Sequence, residues 1–174
     1  SRSRPLRAEC EPIRRFDSSF TALWERLAPK FDLAVRRDAP YLNWRYIEPP
    51  HVRYSVVALK RLGELHGYAV YRHRHEPLGR ATMRADFLDE PDGVTGLKRL
   101  LRWVDRAARG EDSDKLRCYV MHGAMRRVLR RNGYFNVKST IDVTAKVNAV
   151  QVPNGFYDKT DRWHVTYGDS EQDH

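Results

Sequence analysis

Residues 80–134 constrain this chain more than any other stretch, because they fix a strand, a crossover helix, a second strand and a short helix in direct succession. Over 80–88, Ala81, Met83, Ala85 and Phe87 alternate with Thr82, Arg84 and Asp86, the period of two that sends neighbouring side chains to opposite faces of a strand. Over 95–109 the period changes. Leu97, Leu100, Leu101, Val104 and Ala108 form one helical stripe, Lys98, Arg99, Arg102, Asp105 and Arg106 cover the remainder, and Gly110 is expected as a left-handed cap. Residues 116–120 are then short and apolar enough for a central strand. Two strands joined through a helix cannot form a hairpin, so they are expected to lie parallel. Met125, Val128 and Leu129 add a short helix that Gly133 stops.

The flanking sequence supplies the other elements. Phe20, Leu23, Trp24 and Leu27 recur at helical spacing behind Asp17 and Ser18, which predicts a helix over 18–27 ended by Pro29. A second helical segment is expected over 38–46, before Pro49 and Pro50. Residues 54–59 and 65–71 are rich in Val, Tyr and Leu, with Gly63 between them as the turn of a hairpin. Pro77-Leu78-Gly79 marks the next turn, so three antiparallel strands follow one another. Downstream, 135–147 is expected to give one bent or two separate strands, 148–161 a long loop, and Trp163, Val165 and Tyr167 an alternating last strand.

At 174 residues the chain suits one domain with a sizeable core. No apolar run approaches the roughly 20 residues that span a bilayer, and the basic start at residues 1–7 has no apolar stretch behind it. A soluble, cytoplasmic protein without membrane insertion is expected. The start at Ser1, without Met, points to a piece of a longer protein, with 1–15 as a basic N-terminal extension or linker and 169–174 as an acidic tail. Cys10 and Cys118 are too few and too far apart for a disulfide or metal framework. A formal charge of +9, mostly from arginine, invites nucleic acid, anionic membrane or a phosphate-bearing ligand, although solvated helix faces produce such charge as well.

Two helices, an antiparallel meander, then helix, strand, helix and closing strands over 16–167 is an order that resembles the GNAT acetyltransferases. More narrowly, Tyr41-Leu42-Asn43-Trp44-Arg45-Tyr46, Gly67-Tyr68, Asn132-Gly133-Tyr134 and the ending from Trp163 to Asp169 are similar to GNAT-type proteins found with bacterial exopolysaccharide genes. Some of those carry two such domains in tandem, and this chain is similar to the C-terminal one. The resemblance implies an α/β (α+β) domain over 16–168, with a mixed, mostly antiparallel twisted sheet of six to seven strands and helices on both faces. It also implies acetyl-CoA or another acyl-CoA, a small-molecule or saccharide acceptor, and an N-terminal GNAT-like domain of the same protein as partner.

In that family two parallel strands splay to expose backbone to the pantetheine, and an Arg/Gln-x-x-Gly-x-Gly/Ala turn presents helix amides to the pyrophosphate. The implied cofactor seat comprises Phe87, Leu88, Gly93, Val94, Thr95 and Gly96, with Arg126 and Arg130 available for a phosphate. Gly93 and Gly96 are three apart rather than two, however, and Asp89, Glu90 and Asp92 stand beside the pyrophosphate position. Like charge there costs on the order of a kcal/mol per contact, so cofactor affinity should suffer. Where the family places an Asn near the start of the short helix and a proton-donating Tyr four residues before its closing Gly, this chain has His122 and Leu129. Leu129 cannot protonate a leaving thiolate, which leaves Tyr119, His122 and Tyr134 as alternatives. Asp86 is the candidate base nearest the expected cleft; a polar position on a half-exposed strand is the plainer account of it.

His73 and His75 share a strand face but lack a third ligand nearby, and no metal is assigned. Asp169, Glu171 and Asp173 could gather a hard cation, although a frayed acidic tail explains them equally. No helix-turn-helix, basic zipper or RNP motif appears, so DNA is not expected and nucleic-acid binding rests on charge alone. Three functions follow: acyl transfer from a coenzyme A thioester to an amine or hydroxyl, in envelope or exopolysaccharide metabolism; a degenerate binding or scaffold module that supports an active N-terminal domain; and, the weakest, transfer from aminoacyl-tRNA.

Overall fold

The computed structural model describes residues 8–90, 94–138, 143, 155–156 and 158–170. In chain order the elements are β1 (Glu9–Ile13), α1 (Ser18–Leu27), β2 (Leu33–Ala34), α2 (Ala39–Tyr46), β3 (Ser55–Arg61), β4 (Glu64–Glu76), β5 (Gly79–Leu88), α3 (Val94–Gly110), β6 (Lys115–Cys118), α4 (Gly123–Arg131) and β7 (Trp163–His164). The main sheet has five strands in the order β1-β3-β4-β5-β6, and β2 and β7 form a separate parallel pair. Pairing is antiparallel from β1 to β5, and β6 lies parallel to β5 as the crossover requires. The expected six to seven strands are thus divided between two sheets. Among the described residues no helix is long and apolar enough to cross a membrane.

Local chemistry sets the boundaries. The Asp17 carboxylate accepts from the Ser19 amide at 2.9 Å to cap α1, which buries Phe20, Leu23 and Leu27, and Asp38 caps α2 through the Tyr41 amide at 3.0 Å. Leu62 (φ 53°) and Gly63 (φ 80°) make the hairpin turn left-handed. The cap of α3 corrects the expectation for Gly110, which ends the helix itself. Asp112, at φ 50°, takes the left-handed position, with its amide on the Arg109 carbonyl at 3.1 Å and the Ser113 amide on that of Ala108 at 2.9 Å.

Three further expectations change. Residues 9–13, read as part of an extension, form β1, the edge strand paired with β3. Residues 135–138 are coil, and the rest of 135–147 lies outside the described residues apart from Val143. The last strand is only two residues long: Trp163, His164, Val165 and Thr166 are all buried, so both of its sides are covered and alternation says nothing about its length.

One irregularity decides how the sheet works. Val70 pairs with Asp86 and Tyr71 with Arg84, which leaves Ala85 as an extra residue in β5, a bulge. It turns two residues that strict alternation would place together toward different surroundings. Arg84 reaches Tyr134 and, from α3, Asp105, whereas Asp86 meets Tyr68, whose ring rests against Phe16 and Phe20 on the α1 side. Every residue from Ala81 to Leu88 is buried, so polar β5 side chains are interior and not half-exposed. Leu129 joins the same core as Phe87, Leu100 and Val104. Replacing Leu129 with Tyr therefore overfills the core, and urea denaturation should show a loss of about 1–3 kcal/mol.

Candidate functional site

The β5–β6 ladder ends at the Arg84–Cys118 pair, beside the bulge. Beyond it β5 continues to Leu88, while the chain after β6 turns to Val120 and bridges Thr166 in antiparallel sense. The sheet does open there, and residues 163–169 cross the opening. His164 Nε2 donates to the Phe87 carbonyl at 2.8 Å, and Thr166 Oγ1 donates to Asp86 Oδ1 at 3.0 Å. Gly168 lies so close to β5 that a Cβ there would be 3.2 Å from the Ala85 carbonyl and would collide with the Tyr46 hydroxyl. A carbonyl only accepts, so Nε2 carries the His164 proton; Nδ1 is buried without a hydrogen-bond partner among the described residues. Burial, and after it the charge of Arg37, hold His164 well below the usual histidine range, so the ring is neutral. Phe31 stacks on that ring at 4.8 Å between centroids and meets His122 edge-on at 5.6 Å.

Asp86 does not face an open cleft. Arg37 Nε bonds both of its oxygens at 3.1 and 3.2 Å, Tyr68 donates to Oδ2 at 3.0 Å, and Thr166 takes the other side. Arg37 in turn reaches Asp169 Oδ2 at 2.6 Å and the Val35 carbonyl at 2.7 Å. Both side chains of the Arg37–Asp86 pair are fully buried. Burial works against the Arg37 charge, but Asp86 and Asp169 outweigh it and raise its pKa well above the ordinary value. Burial lifts Asp86 above the usual carboxylate range against the pull of Arg37, with Asp169 adding to the rise, as expected where two acids share one guanidinium. The Asp86 carboxylate is thus buried and engaged by Arg37, Tyr68 and Thr166, where the sequence reading expected a half-exposed strand position near a cleft. Of the three acids considered for a cation, Asp169 serves Arg37, and Glu171 and Asp173 lie outside the described residues. Among the described residues no three metal-binding side chains gather.

The other residues of the implied site are scattered. The Tyr134 hydroxyl accepts from Arg84 Nη2 at 3.1 Å and donates to Asp105 Oδ1 at 2.9 Å, and burial raises its pKa, so it is not poised to give up a proton. Tyr119 lies against Tyr167 at 5.9 Å, and His122 is buried at the start of α4. Phe87 and Leu88 are buried, Val94 begins α3, Thr95 is exposed and Gly93 lies outside the described residues. Arg126 pairs with Asp161 at 3.0 Å and Arg130 is exposed, both on the outer side of α4. Gly96 has Asp89 over it: a Cβ would stand 2.5 Å from Oδ2. Burial raises Asp89 to about 7, against backbone hydrogen bonds from Glu90 and Leu97. Glu90 pairs with Lys30.

Sequence reasoning missed Arg37, His164 and Thr166, and considered Asp169 for a cation rather than for a guanidinium. Arg37 sits in an Arg-Arg-Asp run that looks like surface charge, and its carboxylate partners are 49 and 132 residues away.

No family model matches this chain, and neither does any curated protein. Solved structures do. It is similar to a ribosomal-protein-alanine N-acetyltransferase from Brucella melitensis biovar Abortus 2308, at 15% identity and TM-score 0.59 over 79% of this chain and 99% of that one. It is similar to a predicted acetyltransferase with acetyl-CoA from Clostridium acetobutylicum, at 13% identity and TM-score 0.56 over 79% and 96%. An aminoglycoside N-acetyltransferase in complex with CoA aligns at 12% identity and TM-score 0.54 over 83% and 100%. The fold is the GNAT acetyltransferase fold.

Two predictions follow from the buried charges. Arg37→Leu strands two carboxylates and should cost about 3–5 kcal/mol in chemical denaturation. Asp89 holds its proton more tightly folded, near pH 7, than unfolded, near 3.9, so its contribution is full below about pH 4 and is lost as pH rises to about 7. Asp89→Asn should therefore be more stable than wild type by about 2–4 kcal/mol at pH 8, with the gap closing near pH 4, as measured by denaturation across that range.

Proposed function

We propose that this domain keeps the acyltransferase architecture as a binding or scaffold module and does not turn over an acyl-CoA thioester. One observation carries the reading: the β5 edge beyond the bulge, where a pantetheine arm would need free backbone, is already occupied by the chain's own residues 163–169, with His164 on the Phe87 carbonyl. The groups proposed for chemistry are committed in the same way, Asp86 to Arg37 and Tyr134 to Asp105. In a tandem protein such a module would support an active N-terminal domain.

A second reading is acyl transfer to an amine or hydroxyl of a small-molecule or saccharide acceptor in the cytoplasm, and the opening itself favours it. Were only the His164 bond to the Phe87 carbonyl to break, with 163–169 otherwise in place, that carbonyl would become available, and neutral His164 beside it would offer Nδ1 as a base. An acceptor amine would then attack the thioester carbon, the C–S bond would break, and the amine proton would pass to Nδ1 as coenzyme A leaves as the thiolate.

Calorimetry with acetyl-CoA separates the two. No heat at about millimolar ligand is expected for the closed module; binding at about micromolar strength, near −8 kcal/mol, with release of free thiol in the presence of an amine acceptor would overturn it. Under that outcome, His164→Ala should abolish turnover and leave binding intact.

A further inference from the structure

A helix N-terminus attracts anions because its first amides lack intrahelical partners and its dipole is positive there. In this chain a carboxyl group already occupies that position. Asp89, just past the end of β5, is 2% exposed and turns its carboxylate onto the first turn of α3, where the Leu97 amide donates to it as the Glu90 amide does from its own strand end. Gly96 on α3 leaves it room, since a Cβ would stand 2.5 Å from Oδ2 and 2.8 Å from Oδ1. Gly67 on β4 closes the other side, where a Cβ would stand 3.1 Å from Oδ1 and 2.7 Å from the Leu88 carbonyl. Two glycines on two elements thus make space for the Asp89 carboxylate. Oδ2 is buried and takes no hydrogen bond among the described residues, so the group is held by position rather than by saturation.

We propose that Asp89 is a built-in occupant of the anion seat on α3, excluding phosphate and pyrophosphate groups from it by both charge and volume. This extends the closed-module reading but stands on a different element, the helix start and not the β5–β6 opening. Among the described residues the charged groups around Asp89 are few. Glu90 adds like charge and is itself paired with Lys30 from the turn after α1, whereas β4 and α3 present Gly67, Gly96 and a backbone amide. Because the Asp89 carboxyl titrates near neutrality, the seat is more repulsive at pH 8 than at pH 6.

The test uses inorganic pyrophosphate, the kind of anion that a helix start holds. Calorimetry on the whole chain at pH 8 should show Asp89→Ala binding pyrophosphate at least about tenfold more tightly than wild type, with Asp89→Asn, which removes the charge and keeps the volume, in between. Wild-type affinity should rise between pH 8 and pH 6 by more than that of Asp89→Ala, where only the histidine contribution persists. Equal affinity of wild type and Asp89→Ala, with the variant folded by circular dichroism, overturns the inference; should Asp89→Ala fail to fold, equal affinity of Asp89→Asn does so. Pyrophosphate gain without acetyl-CoA binding supports both readings. Turnover of acetyl-CoA by wild type removes the closed module alone, and a flat pyrophosphate series removes the Asp89 seat alone.

Discussion

The guanidinium of Arg37, shared between Asp86 and Asp169, is the contact on which the rest of the molecule depends. It joins three parts of the chain that nothing local would bring together: the segment ahead of α2, the middle of β5, and the turn at the C-terminal end. Burying a charge is costly unless partners and hydrogen bonds replace water, and here Tyr68, Thr166 and the Val35 carbonyl complete the shell. Arg45 adds a bond to the Gly168 carbonyl at 3.0 Å, and the Tyr46 hydroxyl from the same helix lies against Gly168. The geometry has little tolerance, because Gly168 has no room for a side chain between Tyr46 and Ala85.

The bulge at Ala85 explains why the network exists at all. By inserting one residue it turns Asp86 toward Arg37 while Arg84 faces α3, and in the same place it ends the pairing of β5 with β6. A parallel pair that stops midway leaves backbone edges that must find partners or water. In this chain the C-terminal segment provides them, with a side chain on Phe87 and a bridge to Val120. The end of the β5–β6 pairing and the contacts made there by 163–169 thus lie beside one extra residue in β5.

The net charge of +9 bears little on this interior. Its densest cluster on α4, Arg126, Arg127, Arg130 and Arg131, is exposed and lies apart from the Arg37 triad, whereas the arginines that shape the interior, Arg37 and Arg84, are among its largest fully buried side chains. Composition counts the two kinds alike, although one is screened by solvent and the other is held in a low-dielectric core.

The sequence by itself determined α1 over its ten residues, the β3–β4 hairpin with its turn at Gly63, and the parallel sense of β5 and β6. These rest on periods of two and of three to four residues and on caps a few positions away, all of which are local. It also showed that the expected proton donor is replaced by Leu129 and that acids crowd the start of α3. Only the tertiary structure decided that Asp86 is a sealed ion-pair partner, that Asp89 sits on the helix amides and that 163–169 fills the opening. Whether a charged side chain is solvated or buried depends on groups up to 132 residues distant, and no periodicity along the chain encodes a contact of that range.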